Sequence, residues 1–275
     1  MFVVDVGANI GEFSKHILES CSEALVYAIE PNIPVCSKSL DNLRTEYEKR
    51  LRIGYFALGI NSGKAKLFGS NIMNGQLASL LNFNKDSKGW VQHYKFFHLE
   101  TNQEELEVDV LGSAEFIERE KINKIDFLKI DTQGTDLEIL ESLLDCTEVV
   151  SGVVEVEVGL PLDFSRYKQS ENDLNQLIRI LTSRNLLITK ILPNNSSCDE
   201  VNVFFASNQE FFESICSKLE LSTNPIFARY WKIYGVGLTK NETDKVLMFN
   251  LFKKFMHSFK HPVQSFRSLL VKLTK

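Results

Sequence analysis

The sequence predicts a doubly wound α/β protein, in which helices cover both faces of a mostly parallel sheet of about seven strands. Short apolar runs alternate with longer amphipathic segments along most of the chain. The first apolar run ends in a glycine-containing turn, which is typical of the start of a βαβ unit. The 275 residues are 44% hydrophobic and 24% charged, which indicates an ordinary globular protein.

Periodicity predicts the elements of the N-terminal part. Short apolar runs bounded by Gly, Pro or Asn predict buried strands. Segments with apolar residues three and four positions apart predict helices that bury one face. The predicted order is strand Phe2–Val6, helix Phe13–Ser20, strand Leu25–Ile29, helix Pro34–Arg50 and strand Leu51–Leu58.

The alternation breaks between residues 62 and 112. Ala65–Phe68 and Glu107–Leu111 predict strands on either side of a polar, aromatic-rich insertion at 69–104. Long loops in compact domains are usually functional or disordered, so we expect this insertion to lie near the site.

The alternation resumes after residue 112. The predicted elements are helix Ala114–Glu120, strand Asp126–Ile130, helix Asp136–Leu144, strand Val149–Val158, a helix with the apolar stripe Leu174, Leu177, Ile178 and Leu181, and strands Leu186–Leu192 and Glu200–Ala206. Ser170 with Asp173 predicts a capping box before that helix. The last two strands close the sheet, and an antiparallel pair is one way for them to do so. We expect one domain at 1–206 and a partly helical, basic C-terminal extension at 207–275.

Charge and cysteine usage exclude several classes. Six Lys and Arg residues and no acid lie in 253–275, which leaves a net charge of −11 on residues 1–252 against −5 overall. An acidic body repels a phosphate backbone, so nucleic acid is not expected as a partner. The five cysteines include no CxxC pair, which argues against a metal site or a disulfide framework and favours a reducing compartment. No signal peptide or membrane span is evident, so we expect a cytoplasmic protein.

The first motif is the turn after strand Phe2–Val6, with the sequence VVDVGANIG. Gly7 and Gly11 are spaced as GxxxG, which differs from the GxGxxG of dinucleotide sites. Small residues such as Ala8 let the backbone approach a ligand, and the helix that follows offers free N–H groups. Asp5 would suit an amine-bearing cation and repel a pyrophosphate. A tight turn without a ligand is the alternative interpretation.

Four further acids lie in or at the ends of predicted strands. Glu30, beside Pro31, ends the second strand, where a carboxylate can accept hydrogen bonds from ribose hydroxyls; a surface glutamate is the alternative. Asp131 ends a buried strand and therefore faces the ligand edge of the sheet. Glu155 and Glu157 share one face of the strand after it, either at the open end of the sheet or at a solvated end.

Five segments resemble, in sequence and order, the FkbM family of methyltransferases: VVDVGANIGEFS, YAIEPN, FALGINSGKAKLF, VDVL and IDFLKIDTQGTDLEIL, within residues 2–206. The resemblance implies a Rossmann-like class I methyltransferase fold that binds S-adenosylmethionine. It implies a cradle for the methionine part, a ribose ligand at Glu30, an adenine wall and a transfer centre at Asp131. The cofactor-binding residues implied are Asp5, Gly7, Ala8, Asn9, Gly11, Glu30, Pro31, Ala57, Leu58 and Asp131. The family pattern often has Glu where this chain has Gln133, which questions any role that needs a charge there.

The resemblance and the acids together predict O-methylation. Aligning the partners, excluding water and removing the hydroxyl proton are the protein's tasks, and Asp131, then Glu155, are the candidate catalytic bases. The acceptor would be a hydroxyl of a carbohydrate, which the aromatic insertion slightly favours, or of a secondary metabolite. The alternatives are a nicotinamide-dependent oxidoreductase, which the missing GxGxxG disfavours, and an inactive S-adenosylmethionine-binding module.

The basic C-terminal segment allows two interpretations. An apolar stripe at Val263, Phe266, Leu270 and Leu273 with cationic flanks would suit peripheral contact with a membrane or a partner. The same pattern fits a helix docked on the core or on a second subunit, which we favour.

Overall fold

The computed structural model describes residues 1–71, 75–82, 105–157, 172–194 and 200–234. The described strands are β1 Phe2–Val6, β2 Leu25–Ile29, β3 Leu51–Gly54, β4 Ala57–Gly59, β5 Gly63–Phe68, β6 Glu105–Gly112, β7 Lys124–Ile125, β8 Phe127–Ile130, β9 Glu148–Val149, β10 Ser151–Glu157, β11 Leu187–Pro193 and β12 Glu200–Ala206. The described helices are α1 Glu12–Ser20, α2 Ile33–Glu46, α3 Ser113–Glu120, α4 Asp136–Cys146, α5 Leu174–Ser183, α6 Gln209–Lys218 and α7 Ala228–Tyr234.

The central sheet has seven strands in the order β11-β12-β10-β8-β1-β2-β3. Neighbours pair parallel except at β12, which runs antiparallel to both β10 and β11. The predicted seven-stranded, mostly parallel sheet and its antiparallel closure are therefore confirmed. In the dinucleotide-binding order 3-2-1-4-5-6, strands 5 and 6 are direct neighbours. Here the reversed strand β12 lies between β10 and β11.

Two hydrophobic layers cover the sheet, because successive strand residues point to opposite faces. In β1, Val4 and Val6 pack with Phe116 of α3 and Leu140 of α4 on one face. Val3 packs on the other face, with α1, α2 and the segment 207–234. Helices thus lie on both sides, as the sequence predicts.

The predicted single strand Leu51–Leu58 is wrong. The chain forms two strands, β3 in the central sheet and β4 in a separate three-stranded sheet of order β4-β6-β5. Between them, Phe56 turns its ring against Gly54, where an added β-carbon would lie 2.5 Å from a ring atom. The change of sheet is not evident in the sequence, because apolar residues continue from β3 into β4.

The predicted start of α5 is also wrong in its capping residue. Asp173 is the N-cap itself, and its carboxylate accepts the N–H groups of Asn175 and Gln176 at 2.6 and 3.0 Å. Ser170 lies outside the described residues. The buried stripe is Leu177, Ile180 and Leu181, while Ile178 is exposed.

Residues 207–234 pack into the same core as the rest of the chain. Phe227 contacts Phe13 of α1 and Phe204 of β12, with ring centroids 6.2 and 5.0 Å apart. Phe212 and Leu219 of this segment are buried in the same cluster. The basic stretch 253–275 and most of the insertion at 69–104 lie outside the described residues. Among the described helices, none has both the length and the apolarity to cross a bilayer.

Candidate active site

A cavity of about 510 Å³ opens at the carboxyl ends of β1, β2 and β8. This is the edge at which open α/β sheets bind ligands. Among the residues expected at the site, those that line the cavity are Gly7, Ala8, Asn9, Glu30, Pro31, Ala57, Leu58, Asp131 and Glu155. Lys129, Asn194, Glu200 and Ile226 also line the cavity, although the sequence did not mark them as site residues.

The turn after β1 forms the floor of the cavity. Gly7 has φ +76°, and a β-carbon there would lie 1.9 Å from the Asp131 carbonyl oxygen. The N–H groups of Gly7 and Ala8 both donate to the Ile29 carbonyl oxygen at 3.0 Å. Asn9 also has a positive φ, of 49°. The turn therefore lies directly against β2 and β8, and no side chain fits at Gly7.

Asp5 and Gly11, which the resemblance also places at the cofactor, are not among the residues that line the cavity. Asp5 is fully buried; it accepts a hydrogen bond from the Ser14 hydroxyl at 2.6 Å and lies 3.3 Å from the Lys129 ammonium. The negative charge of Asp5 is thus paired with the Lys129 ammonium inside the protein. Gly11, with φ +87°, leaves room for α2, because a β-carbon there would lie 2.9 Å from Leu40 Cδ2.

Glu30 is a buried carboxylate at the cavity wall. Its Oε2 accepts the Asn9 N–H at 2.8 Å, and its Oε1 accepts the Asn32 N–H at 2.9 Å. Burial raises the pKa of Glu30, although the two N–H donors oppose that shift. The hydrogen bond from Asn9 joins the end of β2 to the turn after β1. Each oxygen can accept a further hydrogen bond, which suits a pair of ribose hydroxyls.

Lys129 is a site residue that sequence reasoning missed. Its buried ammonium donates to the Gly7 carbonyl oxygen at 2.8 Å and lies 3.3 Å from Asp5 Oδ1 and 3.6 Å from Asp131 Oδ2. Burial lowers the pKa of Lys129, but Asp5, Asp131 and Glu155 more than offset this, so the net shift is upward. The ammonium stays charged and links two loops of the site. The available signal was a lone lysine inside an apolar strand.

Asp131 and Glu155 lie on one wall and share a hydrogen-bond donor. The Gln133 side-chain amide donates to Asp131 Oδ1 at 2.9 Å and to Glu155 Oε1 at 3.2 Å. A glutamate at position 133 would bring a third negative charge to this wall, whereas the amide joins the two carboxylates. Glu155 is buried, and Asp131 is about one-third exposed, with a side-chain value of 30%.

Asp136 holds the turn that carries Asp131 and Gln133. Its carboxylate accepts the N–H groups of Thr132 at 2.6 Å and Gly134 at 2.9 Å. Burial, opposed by the Thr132 hydrogen bond, raises the pKa of Asp136 to about 6. Asp136, the first residue of α4, thus fixes the turn that precedes the helix.

Apolar side chains form a further part of the cavity lining. Ala57 and Leu58 of β4 belong to this apolar wall, together with Leu67 and the segment 75–80. The Ser79 hydroxyl donates to the Gln133 carbonyl oxygen at 2.6 Å, so this segment is fastened to the acidic wall. The described part of the insertion thus lies at the cavity. Within the described residues, no cluster of His, Cys, Asp and Glu could hold a metal ion.

The chain matches the family model of the methyltransferase FkbM domain over residues 5–188. It is 24% identical over 147 residues to Methyltransferase 1 of Beauveria bassiana (strain ARSEF 2860), an alignment that covers 52% of this chain and 59% of that protein.

Two solved structures are similar at low identity. One is an O-methyltransferase family 2 protein from Planctomyces limnophilus in complex with apigenin, at 10% identity and a TM-score of 0.39, covering 75% of this chain and 50% of that chain. Another is an O-methyltransferase from neocarzinostatin biosynthesis in complex with S-adenosylmethionine and 2-hydroxy-5-methyl naphthoic acid, at 11% identity and a TM-score of 0.37, covering 75% and 49%. The chain spans about half the length of these two proteins.

Proposed function

Because the chain belongs to the FkbM family of methyltransferases, we propose that it transfers the methyl group of S-adenosylmethionine to a hydroxyl oxygen of a small-molecule or glycan acceptor. The observation that carries this proposal is the pair of carboxylates, Asp131 and Glu155, which Gln133 joins at the wall of the cavity. An alcohol becomes a better nucleophile when a nearby base takes its proton.

The described residues fit this cofactor. The cavity volume of about 510 Å³ lies within the usual range for small-molecule sites. Glu30 would hold the ribose, Ala8 and Asn9 the methionine part, and Ala57 and Leu58 the adenine. When bound, S-adenosylmethionine supplies an electrophilic methyl group on a sulfonium cation. Asp5 would act indirectly, because its buried carboxylate keeps the Lys129 ammonium in place.

Asp131 is our first candidate for the base and Glu155 the second. Either carboxylate would accept the proton of the acceptor hydroxyl, and the negative wall would also favour the sulfonium charge. Gln133 fixes the orientation of both groups. The apolar wall and the segment 75–80 would exclude water from the reacting atoms.

We predict that Asp131→Asn lowers turnover about 100-fold or more while the affinity for S-adenosylmethionine changes little, because a base acts on the acceptor proton. Transfer of labelled methyl groups to a panel of methyl glycosides and phenols measures turnover, and calorimetry measures affinity. Asp109→Asn, at an exposed carboxylate on β6, is the matched control.

Normal turnover by Asp131→Asn would exclude Asp131 as the base. Glu155→Gln would then be the next variant to measure. If the protein binds the cofactor but methylates no hydroxyl compound in the panel, O-methylation itself is contradicted.

The oxidoreductase alternative and the inactive module make different predictions. An oxidoreductase would bind NAD, and the turn after β1 lacks the GxGxxG pattern that such binding uses. An inactive module would bind S-adenosylmethionine without transferring its methyl group. Asp131 and Glu155 at the cavity wall favour an active enzyme over such a module.

The basic segment at the C-terminus remains a separate hypothesis. Its stripe lies outside the described residues, and contact with a membrane or a second subunit is a proposal from sequence alone. Liposome sedimentation with and without residues 243–275 tests it, since equal binding by both forms would exclude the membrane.

A further inference from the structure

The reversed strand β12 brings its first residue to the ligand edge of the sheet. Parallel strands present their last residues there, and Glu157 is the last residue of β10. Because β12 is antiparallel to β10, Glu157 pairs with Glu200, which is the first residue of β12. β11 runs in the same direction as β10 and ends at Pro193, so Asn194 reaches the same edge.

Asn194 and Glu200 form a small polar group that lines the cavity. The Asn194 N–H donates to the Glu200 carbonyl oxygen at 2.9 Å, and the Asn194 side-chain amide donates to Glu200 Oε2 at 3.4 Å. The Asn202 amide in turn donates to Asn194 Oδ1 at 3.4 Å. Asn202 is paired in register with Glu155 of β10. The polar group therefore adjoins one of the candidate bases.

Both residues lie beyond residue 188, where the match of this chain to the family model ends. The groups assigned to the cofactor, including Glu30, lie inside the matched segment. A family can share its cofactor while its members take different acceptors. Cavity residues outside the matched segment are therefore natural candidates for acceptor selection.

We propose that Asn194 and Glu200 bind the acceptor, and that the acceptor carries several neighbouring hydroxyl groups, as a sugar does. This inference rests on the proposed function. An amide both donates and accepts hydrogen bonds, and a carboxylate accepts several, so together they match adjacent hydroxyls. A flat phenol with one hydroxyl offers fewer hydrogen bonds to these two side chains than adjacent hydroxyls do, which disfavours its binding.

The test uses the full chain saturated with S-adenosylhomocysteine. Saturation-transfer NMR measures the binding of methyl glucoside, methyl galactoside, methyl mannoside and methyl rhamnoside, with phenol as the one-hydroxyl comparison. We expect at least one glycoside to bind more tightly than phenol. Asn194→Ala and Glu200→Gln should each lower the affinity for that glycoside by roughly tenfold, which corresponds to the loss of one hydrogen bond.

The matched control is Glu210→Gln, the same chemical change at an exposed residue of α6 outside the cavity lining. Calorimetry should give all variants the wild-type affinity for S-adenosylhomocysteine, which also shows that they are folded. With that nucleoside bound, the inference is overturned if no glycoside binds or if both cavity variants bind it like wild type. Failure of the wild-type protein to bind the nucleoside would instead contradict the proposed function.

Discussion

At the residue scale, the buried ammonium of Lys129 organises the site. It contacts the turn after β1 through Gly7 and the end of β8 through Asp131. Its closest carboxylate is that of Asp5, its partner in the register of β1 and β8. A charge pair buried this deeply is weak evidence for net stability, but leaving either member alone is strongly unfavourable.

We predict that Lys129→Met destabilises the protein by about 3–5 kcal/mol, because Asp5 would keep a buried, uncompensated charge. The double variant Lys129→Met with Asp5→Asn should recover most of that loss, since both charges are removed. Urea unfolding of the wild type and the two variants gives the free energies. A single variant as stable as the double variant would contradict this account of the pair.

At the element scale, local patterns predicted most strands and helices. The register of β1 against β8 is not local, so the pairing of Asp5 with Lys129 could not be predicted from the sequence. The cofactor role expected of Asp5 rested instead on its charge and on the family resemblance. The division of Leu51–Leu58 between two sheets depends on the pairing of β4 with β6, about fifty residues later in the chain.

The turn between β8 and α4 should make stability depend on pH. The carboxyl of Asp136 has a pKa raised from 3.8 to about 6 in the folded protein. Between these values the folded state binds the proton more strongly, so the contribution of Asp136 to stability falls as pH rises from about 4 to about 6. The full change is about 3 kcal/mol.

Urea unfolding of the wild type and of Asp136→Asn across pH 4–7 isolates this contribution. As pH rises, the free energy of unfolding of the wild type should fall relative to that of Asp136→Asn, because only the wild type titrates at this position. A difference that does not change with pH would show that Asp136 has its ordinary pKa in the folded protein.

At the scale of the whole molecule, residues 207–234 pack into one of the two hydrophobic layers that cover the sheet, together with α1 and α2. The segment 207–234 buries Phe212 and Phe227 and brings Ile226 to the cavity wall. The family resemblance ends at residue 206, and the sequence therefore predicts a separate extension at 207–275. Neither resemblance nor composition reports packing, so the sequence could not show that these aromatic side chains fill the layer against α1.

We predict that Phe227→Ala lowers the free energy of unfolding by about 3–5 kcal/mol, because it leaves a cavity between α1 and β12. Thermal and urea unfolding should retain one transition. Ile60→Ala, at a side chain that is 52% exposed, should change stability by about 0.5 kcal/mol or less. A separate early transition in Phe227→Ala would instead indicate that residues 207–234 unfold independently.

Calorimetric titration of the purified chain with S-adenosylmethionine, S-adenosylhomocysteine and NAD tests the account most directly. We predict that both sulfur nucleosides bind at one site, that Glu30→Ala weakens both, and that NAD does not bind. If neither sulfur nucleoside binds, the cavity does not hold this cofactor and the proposed methyl transfer is contradicted.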